Sequence, residues 1–400
     1  MNRSMPSARP ASYDKKVGLV LQGGGALGSY QAGVYEGLAS SEYTPDWVAG
    51  ISIGAINAAI IAGNAPKDRV ARLRSFWEAI TAPTKLWPQA TGVFAAWQRW
   101  TSAAMAVGFG QPGFFSPQPG FFPNLGAWSA ANEQVSYYST SALKATLERL
   151  VDFDRINAGN EMRLSVGAVN VETGDFTYFD SREMTIRPEH IMASGALPPG
   201  FPPIHIDDEQ YWDGGLFSNT PLQYMVDYYP RRSRMIFQVD LFPARARRPP
   251  TNLDEVHERE KDIRYSSRTR LATTMLRERH DIRHMINELH KLLPPELAVT
   301  EQAKRLYAHG CVTTMDIVHL IYRPDEPQGS LKDFEFSRPT MDLRWQQGLA
   351  DANTTLQASP WLAPVPNELG VRVFDVMHDV LTANAEVGVS GDETETISRE

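Results

Sequence analysis

Ser52 stands in Gly50-Ile51-Ser52-Ile53-Gly54, between the β-rich Trp47-Val48-Ala49 and the helix-forming Ala55-Ile56-Asn57-Ala58-Ala59-Ile60. Glycines on both sides of a serine permit a sharp strand-to-helix elbow that exposes its Oγ, and the helix N-terminus that follows favours negative charge beside it. The pattern makes Ser52 a nucleophile, with Gly50, Ile53 and Gly54 as its elbow. A glycine turn, Gly23-Gly24-Gly25-Ala26-Leu27-Gly28, follows the apolar run Val17 to Leu21 and precedes a helical stretch. Three readings fit it. Its backbone N–H groups can hold an anion at a helix start; it can be the phosphate turn of a dinucleotide site, with Glu42 or Asp46 as the acid; or it can be a tight turn and nothing more. Further on, Asp213-Gly214-Gly215 precedes Asn219-Thr220-Pro221. Read alone, an Asp beside two glycines can simply turn the chain.

These turns need elements to hold them. Residues 17 to 240 alternate short β-rich runs with helical stretches, the pattern of a mostly parallel sheet covered by helices. Val17 to Leu21, Arg163 to Asn170 and Met235 to Asp240 read as strands. Ser29 to Leu38, Ile53 to Ile61 and Thr140 to Val151 read as helices. Residues 81–130 stand apart: only Lys85 and Arg99 are charged, ten of the fifty are aromatic and twelve are Pro or Gly. Such an apolar insertion is either loop-rich core or a lid that faces lipid. A linker-like stretch from Pro243 to Pro250 sets a boundary near 241. Beyond it, residues 251–300 hold nine acidic and nine basic residues, with Leu271, Met275, Ile282, Ile286, Leu289 and Leu293 near helical spacing. That predicts helices with one solvated, charged face. Asp316 to Tyr322 returns to a strand pattern, and Thr340 is placed to cap a helix over Met341 to Ala352. The expected organisation is a tail over 1–12, a main domain over 13–240 and a charged, largely helical extension over 241–400.

Composition excludes several classes. With 39 basic against 47 acidic residues in 400, net charge −8, the chain lacks the footprint of a nucleic-acid binder. The single cysteine, Cys311, can form neither an intrachain disulfide nor a zinc knuckle, which fits a reducing, cytoplasmic setting. Met1 to Ala11 has no apolar stretch of signal-peptide kind. The uncharged run after Trp100 is broken by Pro and Gly, so no spanning helix is expected. No metal-ligand cluster and no cofactor motif is expected either.

The order of these blocks, a glycine loop, a serine elbow and an Asp-Gly-Gly, resembles the patatin-like phospholipase family over roughly residues 13–240. The resemblance implies a three-layer α/β/α fold with a mostly parallel central sheet, followed here by a mainly helical C-terminal extension. It implies that Ser52 is the nucleophile and Asp213, in Asp213-Gly214-Gly215, its dyad partner. The loop Gly23 to Gly28 corresponds to the oxyanion hole, through the N–H groups of Gly24, Gly25 and Ala26. Leu27 occupies the place where the family commonly has Arg or Lys, which leaves backbone donors alone. The activity implied is that of a serine acyl hydrolase, cleaving acyl esters of phospholipids and neutral lipids without metal or cofactor, at a lipid surface or peripheral to a membrane. Residues 241–400 look like an extension found on some bacterial patatin-like proteins, and a protein partner can dock there. Three alternatives stay open: a Ser-Asp-His triad using His205, His257 or His319, a weakly active or inactive scaffold of the same fold that binds a partner through 241–400, and a dinucleotide-dependent oxidoreductase.

Overall fold

Val17, Leu19, Val20 and Leu21 are shielded from solvent on both faces of their strand, the burial that a parallel sheet under two layers of helices imposes. The computed structural model describes residues 9–81, 93–118, 135–364, 366 and 369–380. Residues 1–8 of the expected tail, and 82–92 and 119–130 of the apolar insertion, lie outside the described residues.

The chain enters through β1 (Lys16–Leu21) and α1 (Ser29–Ala39), then repeats the move with β2 (Trp47–Gly50) and α2 (Ile53–Ala62). Helices α3 (Arg69–Ile80) and α4 (Val93–Phe109) lead to a two-stranded ribbon, β3 (Ser116–Pro117) with β4 (Tyr138–Ser139). After α5 (Ser141–Leu150) and α6 (Phe153–Ala158) come β5 (Arg163–Asn170), β6 (Phe176–Asp180), α7 (Pro188–Ser194), β7 (Ile204–Ile206) and β8 (Glu209–Asp213). Then follow α8 (Leu222–Asp227), β9 (Arg234–Asp240) and the long α9 (Leu253–Lys291). The remainder is α10 (Pro295–Ala298), α11 (Glu301–Tyr307), β10 (Met315–Ile321), α12 (Arg338–Ala358) and β11 (Val371–Phe374). Helix α12 begins at Arg338 rather than beyond Thr340, because Pro339 is accommodated in its first turn, where no N–H partner is needed.

Among the described residues one sheet joins nine strands in the order β11-β10-β9-β1-β2-β5-β8-β7, with β6 paired to β5. From β11 to β5 every pairing is parallel; β6, β7 and β8 pair antiparallel. This is the mostly parallel α/β sheet the sequence predicts, with α9 as the main helix after residue 240. Two strands from beyond residue 240, β10 and β11, continue the same sheet. Helix α12 packs on α1 at glycine contacts: a Cβ at Gly33 would lie 1.9 Å from Trp345 O, and one at Gly348 2.1 Å from Tyr30 O.

The register brings two strand ends together. Strand β6 runs beside Ser165 to Val169 of β5, and β8 beside Ala168 to Asn170, so they occupy opposite edges. Strand β2, which pairs with Arg163 to Val166, shares the β8 edge. It stops at Gly50, and β8 arrives from the other direction to end at Asp213, opposite Ala168. The residues following β2 therefore meet the end of β8.

Candidate active site

Ser52 caps the N-terminus of α2 with φ 57° and ψ −125°, a setting that costs an L-residue on the order of 1–3 kcal/mol and persists only where neighbours enforce it. Here its N–H is held by Ser194, donating to the backbone O at 3.0 Å and to Oγ at 3.1 Å. Ser194 Oγ in turn donates to Gly167 O at 2.6 Å. The flanking glycines serve closeness rather than strain. A Cβ at Gly50 would lie 2.2 Å from Gly54 O, and one at Gly54 2.3 Å from Leu21 O; the serine itself carries the unusual backbone angle.

Asp213 ends β8 at 2% exposure. Its carboxylate accepts the Gly215 N–H at 2.7 Å and borders the same cavity as Ser52. Burial pushes its pKa up to about 7, against the downward pull of the nearby Ser52 hydroxyl and the Gly215 N–H. Gly214 packs on Gly167, where a Cβ would fall 2.5 Å from the carbonyl oxygen.

Asn219 ties the glycine loop to this turn: Gly23 N–H donates to Asn219 O at 3.3 Å, and Asn219 Nδ2 donates to Gly23 O at 3.1 Å. Leu27 N–H closes the loop on Gly24 O at 3.2 Å. Among the described residues no protein acceptor takes the N–H groups of Gly24, Gly25 or Ala26. A buried chain of amides holds the loop from below. Trp77 Nε1 donates to Asn57 Oδ1, and Asn57 Nδ2 donates to both Gly28 O and Gln31 Oε1 at 2.9–3.1 Å. Gln31 then donates to Gln22 O at 2.6 Å. Asn57 and Gln31 carry no motif, and the only signal for Asn57 in the sequence is one amide inside an Ala- and Ile-rich helix. Leu27 is fully buried, so its side chain offers the site no charge.

Gly23, Gly24, Gly25, Ser52, Ile53, Asp213 and Gly215 border one narrow cavity of about 80 Å³, whereas Ala26, Gly28, Gly50, Gly54 and Gly214 lie behind it. The remaining wall is mostly apolar. Phe114 and Phe115, from the aromatic-rich stretch, pack with Phe201 and with Phe336 at ring separations of 5.3–6.3 Å. Tyr265 of α9, together with Asp333 and Phe334, completes the lining, so chain beyond residue 240 walls the same cavity. Sequence reasoning missed these because the contacts cross more than two hundred residues.

The competing arrangements fare differently. His205 and His257 are exposed, and His319 is buried against Asp240, Nδ1 to Oδ2 at 3.3 Å; none borders the cavity. Glu42 and Asp46 both precede β2, at the opposite end of the strand from the glycine loop; Glu42 accepts the Arg9 backbone N–H and Asp46 pairs with Arg234 at 3.0 Å. The ribose acid of a dinucleotide site is therefore absent from this turn among the described residues. No helix among the described residues is long and apolar enough to cross a membrane.

Comparison with known proteins follows from this geometry. No curated protein sequence matches the chain. Solved structures with some likeness include VipD from Legionella pneumophila, at 14% identity over 88% of this chain and 68% of that one, TM-score 0.37. Human GIVD cytosolic phospholipase A2 matches at 13% identity over 56% of this chain and 43% of its own, TM-score 0.29. Pseudomonas aeruginosa ExoU, solved in complex with SpcU, matches at 16% identity over 65% of this chain and 52% of its own, TM-score 0.27. The chain thus spans about half the length of the latter two. Sequence models of whole families are more direct: one described as Patatin phospholipase matches residues 263–368, the region that supplies Asp333 and Phe336. With the Patatin-like phospholipase model matching residues 19–226, from the glycine loop through the elbow to Asp213 and Asn219, the chain belongs to the patatin-like phospholipase family.

Proposed function

We propose that the protein is a serine acyl hydrolase acting on lipid esters through Ser52 and Asp213, with the glycine-loop amides as oxyanion hole. The observation that carries this reading is the convergence of the three turns on one cavity. A serine at a strained elbow and a buried carboxyl line one cavity, beside N–H groups that have no protein acceptor among the described residues. Asp213 takes the Ser52 proton as Oγ attacks the ester carbonyl carbon, and the oxyanion of the tetrahedral intermediate forms toward Gly24 and Gly25 N–H. The proton passes to the departing alcohol, leaving an acyl ester on Ser52. Water, deprotonated by Asp213, then releases the fatty acid.

An ordinary aspartate is too weak a base for this work near neutral pH. A carboxyl whose pKa stands at about 7 is matched to it. The phenyl rings of Phe114, Phe115, Phe201 and Phe336 suit an acyl chain. The test is fatty-acid release from mixed phospholipid and neutral-lipid micelles by wild type, Ser52→Ala and Asp213→Asn, each checked for folding by thermal melting. Activity in wild type alone supports the dyad. Equal activity in Ser52→Ala, or failure of a serine-reactive phosphonate to label Ser52, overturns it.

A further inference from the structure

Helix α9 turns a polar face to the body of the protein. From Glu258 to Asn287 its buried residues are polar at every position except Leu276. A buried polar side chain is costly unless it finds a partner, so the partners show what the face holds in place. At the far end they belong to the framework: His280 and His284 Nε2 lie 2.8 and 2.7 Å from Thr313 O. At the end nearer the cavity they belong to the turns of the candidate site.

Thr269 is central to that end. Its Oγ1 accepts the Gln22 Nε2–H at 3.1 Å and lies 2.9 Å from Thr220 Oγ1, all three side chains being buried. Gln22 is the residue before the glycine loop, and its Oε1 accepts the Leu241 N–H at 2.5 Å, so both ends of its amide are engaged. Thr220 follows Asn219, which bonds Gly23 through its carbonyl and its amide. One hydroxyl thus joins the entrance of the glycine loop to the far end of the segment that begins at Asp213. One residue earlier, Arg268 Nη1 donates to Gly215 O at 3.3 Å and Leu216 O at 3.1 Å. Gly215 is the residue whose N–H bonds the Asp213 carboxylate. Lys261 and Tyr265 extend the same helix face, at steps of four and three residues before Arg268. Lys261 Nζ donates to Asp333 Oδ1 and Ser330 O at 2.7 Å each, and Asp333 O is the atom that a Cβ on Gly25 would strike.

We infer that Thr269, assisted by Arg268, is a positioning residue of the hydrolase, setting the glycine-loop amides at a fixed distance from the Asp213 turn. The role rests on the Ser52–Asp213 reading. Between β8 and α8 the segment from Gly214 to Pro221 belongs to no strand ladder, so its placement depends on side chains that reach it. Asn219 ties it to the glycine loop, and α9 braces both from outside. Oxyanion donors and a base must hold their places to within about 0.5 Å, and a misplacement of about 1 Å costs on the order of 100-fold. Valine has the shape of threonine without the hydroxyl, so Thr269→Val keeps the packing and leaves Gln22 Nε2 and Thr220 Oγ1 without their shared partner.

The full chain is assayed on p-nitrophenyl butyrate, with labelling of Ser52 by a serine-reactive phosphonate as a second readout. In Thr269→Val, kcat is expected to fall about 10- to 100-fold with KM held within about twofold, and labelling to slow in parallel. Thr269→Ser, which keeps the hydroxyl, is expected to restore wild-type kcat. The double variant Gln22→Met with Thr269→Val is expected to be no slower than Gln22→Met alone, because both changes break one chain of contacts. His284→Ala loosens the same helix about 22 Å away along its axis, removing the bond to Thr313 O. It is expected to melt lower and keep its kcat, which separates positioning from helix docking in general. Arg268→Met, at an exposed position, tests the same brace where the buried variant does not fold, with an expected loss in kcat of about five- to tenfold. Wild-type kcat in folded Thr269→Val, or in Arg268→Met where the former does not fold, overturns the inference, as does an equal loss in His284→Ala or a loss confined to KM. These outcomes leave the dyad standing, whereas a wild type that neither cleaves the ester nor takes up the phosphonate overturns the dyad and the positioning role together.

Discussion

Replacing Asp213 by Asn should abolish hydrolysis and stabilise the protein, by an amount that grows with pH. The side chain keeps its shape, and its Oδ1 still accepts the Gly215 N–H that now bonds at 2.7 Å. What disappears is the charge. Burial raises this carboxyl from 3.8 to about 7, so the folded state binds a proton that the unfolded state has lost between those values. Wild-type stability therefore declines as pH rises from about 4 to 7, and the full cost, about 4 kcal/mol for about 3 units, is present above it. About 2.5 kcal/mol of that difference develops between pH 5 and pH 8. With an unfolding entropy on the order of 0.8 kcal/mol/K for a chain of this size, the Tm of Asp213→Asn should gain about 3 °C on wild type over that range. Differential scanning fluorimetry of the two proteins at matched pH measures it, since every other titration cancels. Wild-type kcat/KM on a soluble ester should rise through pH 7 in parallel, as the base ionises. A Tm difference that stays flat with pH, or a variant that is less stable at pH 8 than at pH 5 relative to wild type, would refute the assignment of a buried, weakly compensated carboxylate.

Ser52→Gly and Ser52→Ala should both be inactive, yet Gly should melt higher, by about 1 kcal/mol, because only Gly adopts a φ of 57° without strain; equal melting would mean the elbow is unstrained. Gly25→Ala adds a Cβ 2.3 Å from Asp333 O at a φ of 56°, so hydrolysis should fall on the order of 100-fold or more, as for loss of an oxyanion donor, and wild-type turnover would exclude Gly25 from that role. Lys332→Met leaves the Glu258 and Asp262 carboxylates buried without their cation, which should cost about 3–5 kcal/mol and lower Tm by about 4–6 °C; unchanged melting would show that the cluster contributes nothing.

The elements that carry Ser52 and the glycine loop are legible because their signals are local. An apolar run, a glycine turn and an Ala-rich stretch follow one another within a few residues, and β1, β2, α1 and α2 form where that pattern places them. Asp213 is different. Its neighbours in sequence say only that the chain turns; the head-on meeting of β2 and β8 along β5 is what brings it to Ser52. Helix α9 misleads a reader of periodicity. Leu271, Met275, Ile282 and Leu289 look like a core-facing stripe with a charged face in water, but it is the polar face that turns inward. That face finds Lys332, Thr313, Gln22 and Thr220, partners dozens to hundreds of residues away that no local window contains.

The same long-range contacts decide whether the chain can be divided near residue 241. All seven residues of β9 are buried, and β10 pairs with it from Arg234 to Asp240. Ending the chain after Leu241 would leave β9 as a bare, apolar sheet edge, strip α12 from the glycine contacts of α1, and open the cavity where Tyr265, Asp333 and Phe336 now stand. Exposed edges of that kind pair with other chains. A fragment of residues 9–241 should therefore aggregate on expression, and any soluble fraction should bind a hydrophobic dye and hydrolyse no ester. A monomeric, cooperatively melting fragment that cleaves short-chain esters at the full-length rate would show instead that residues 242–400 are an accessory, and that the cavity wall they supply serves only larger substrates.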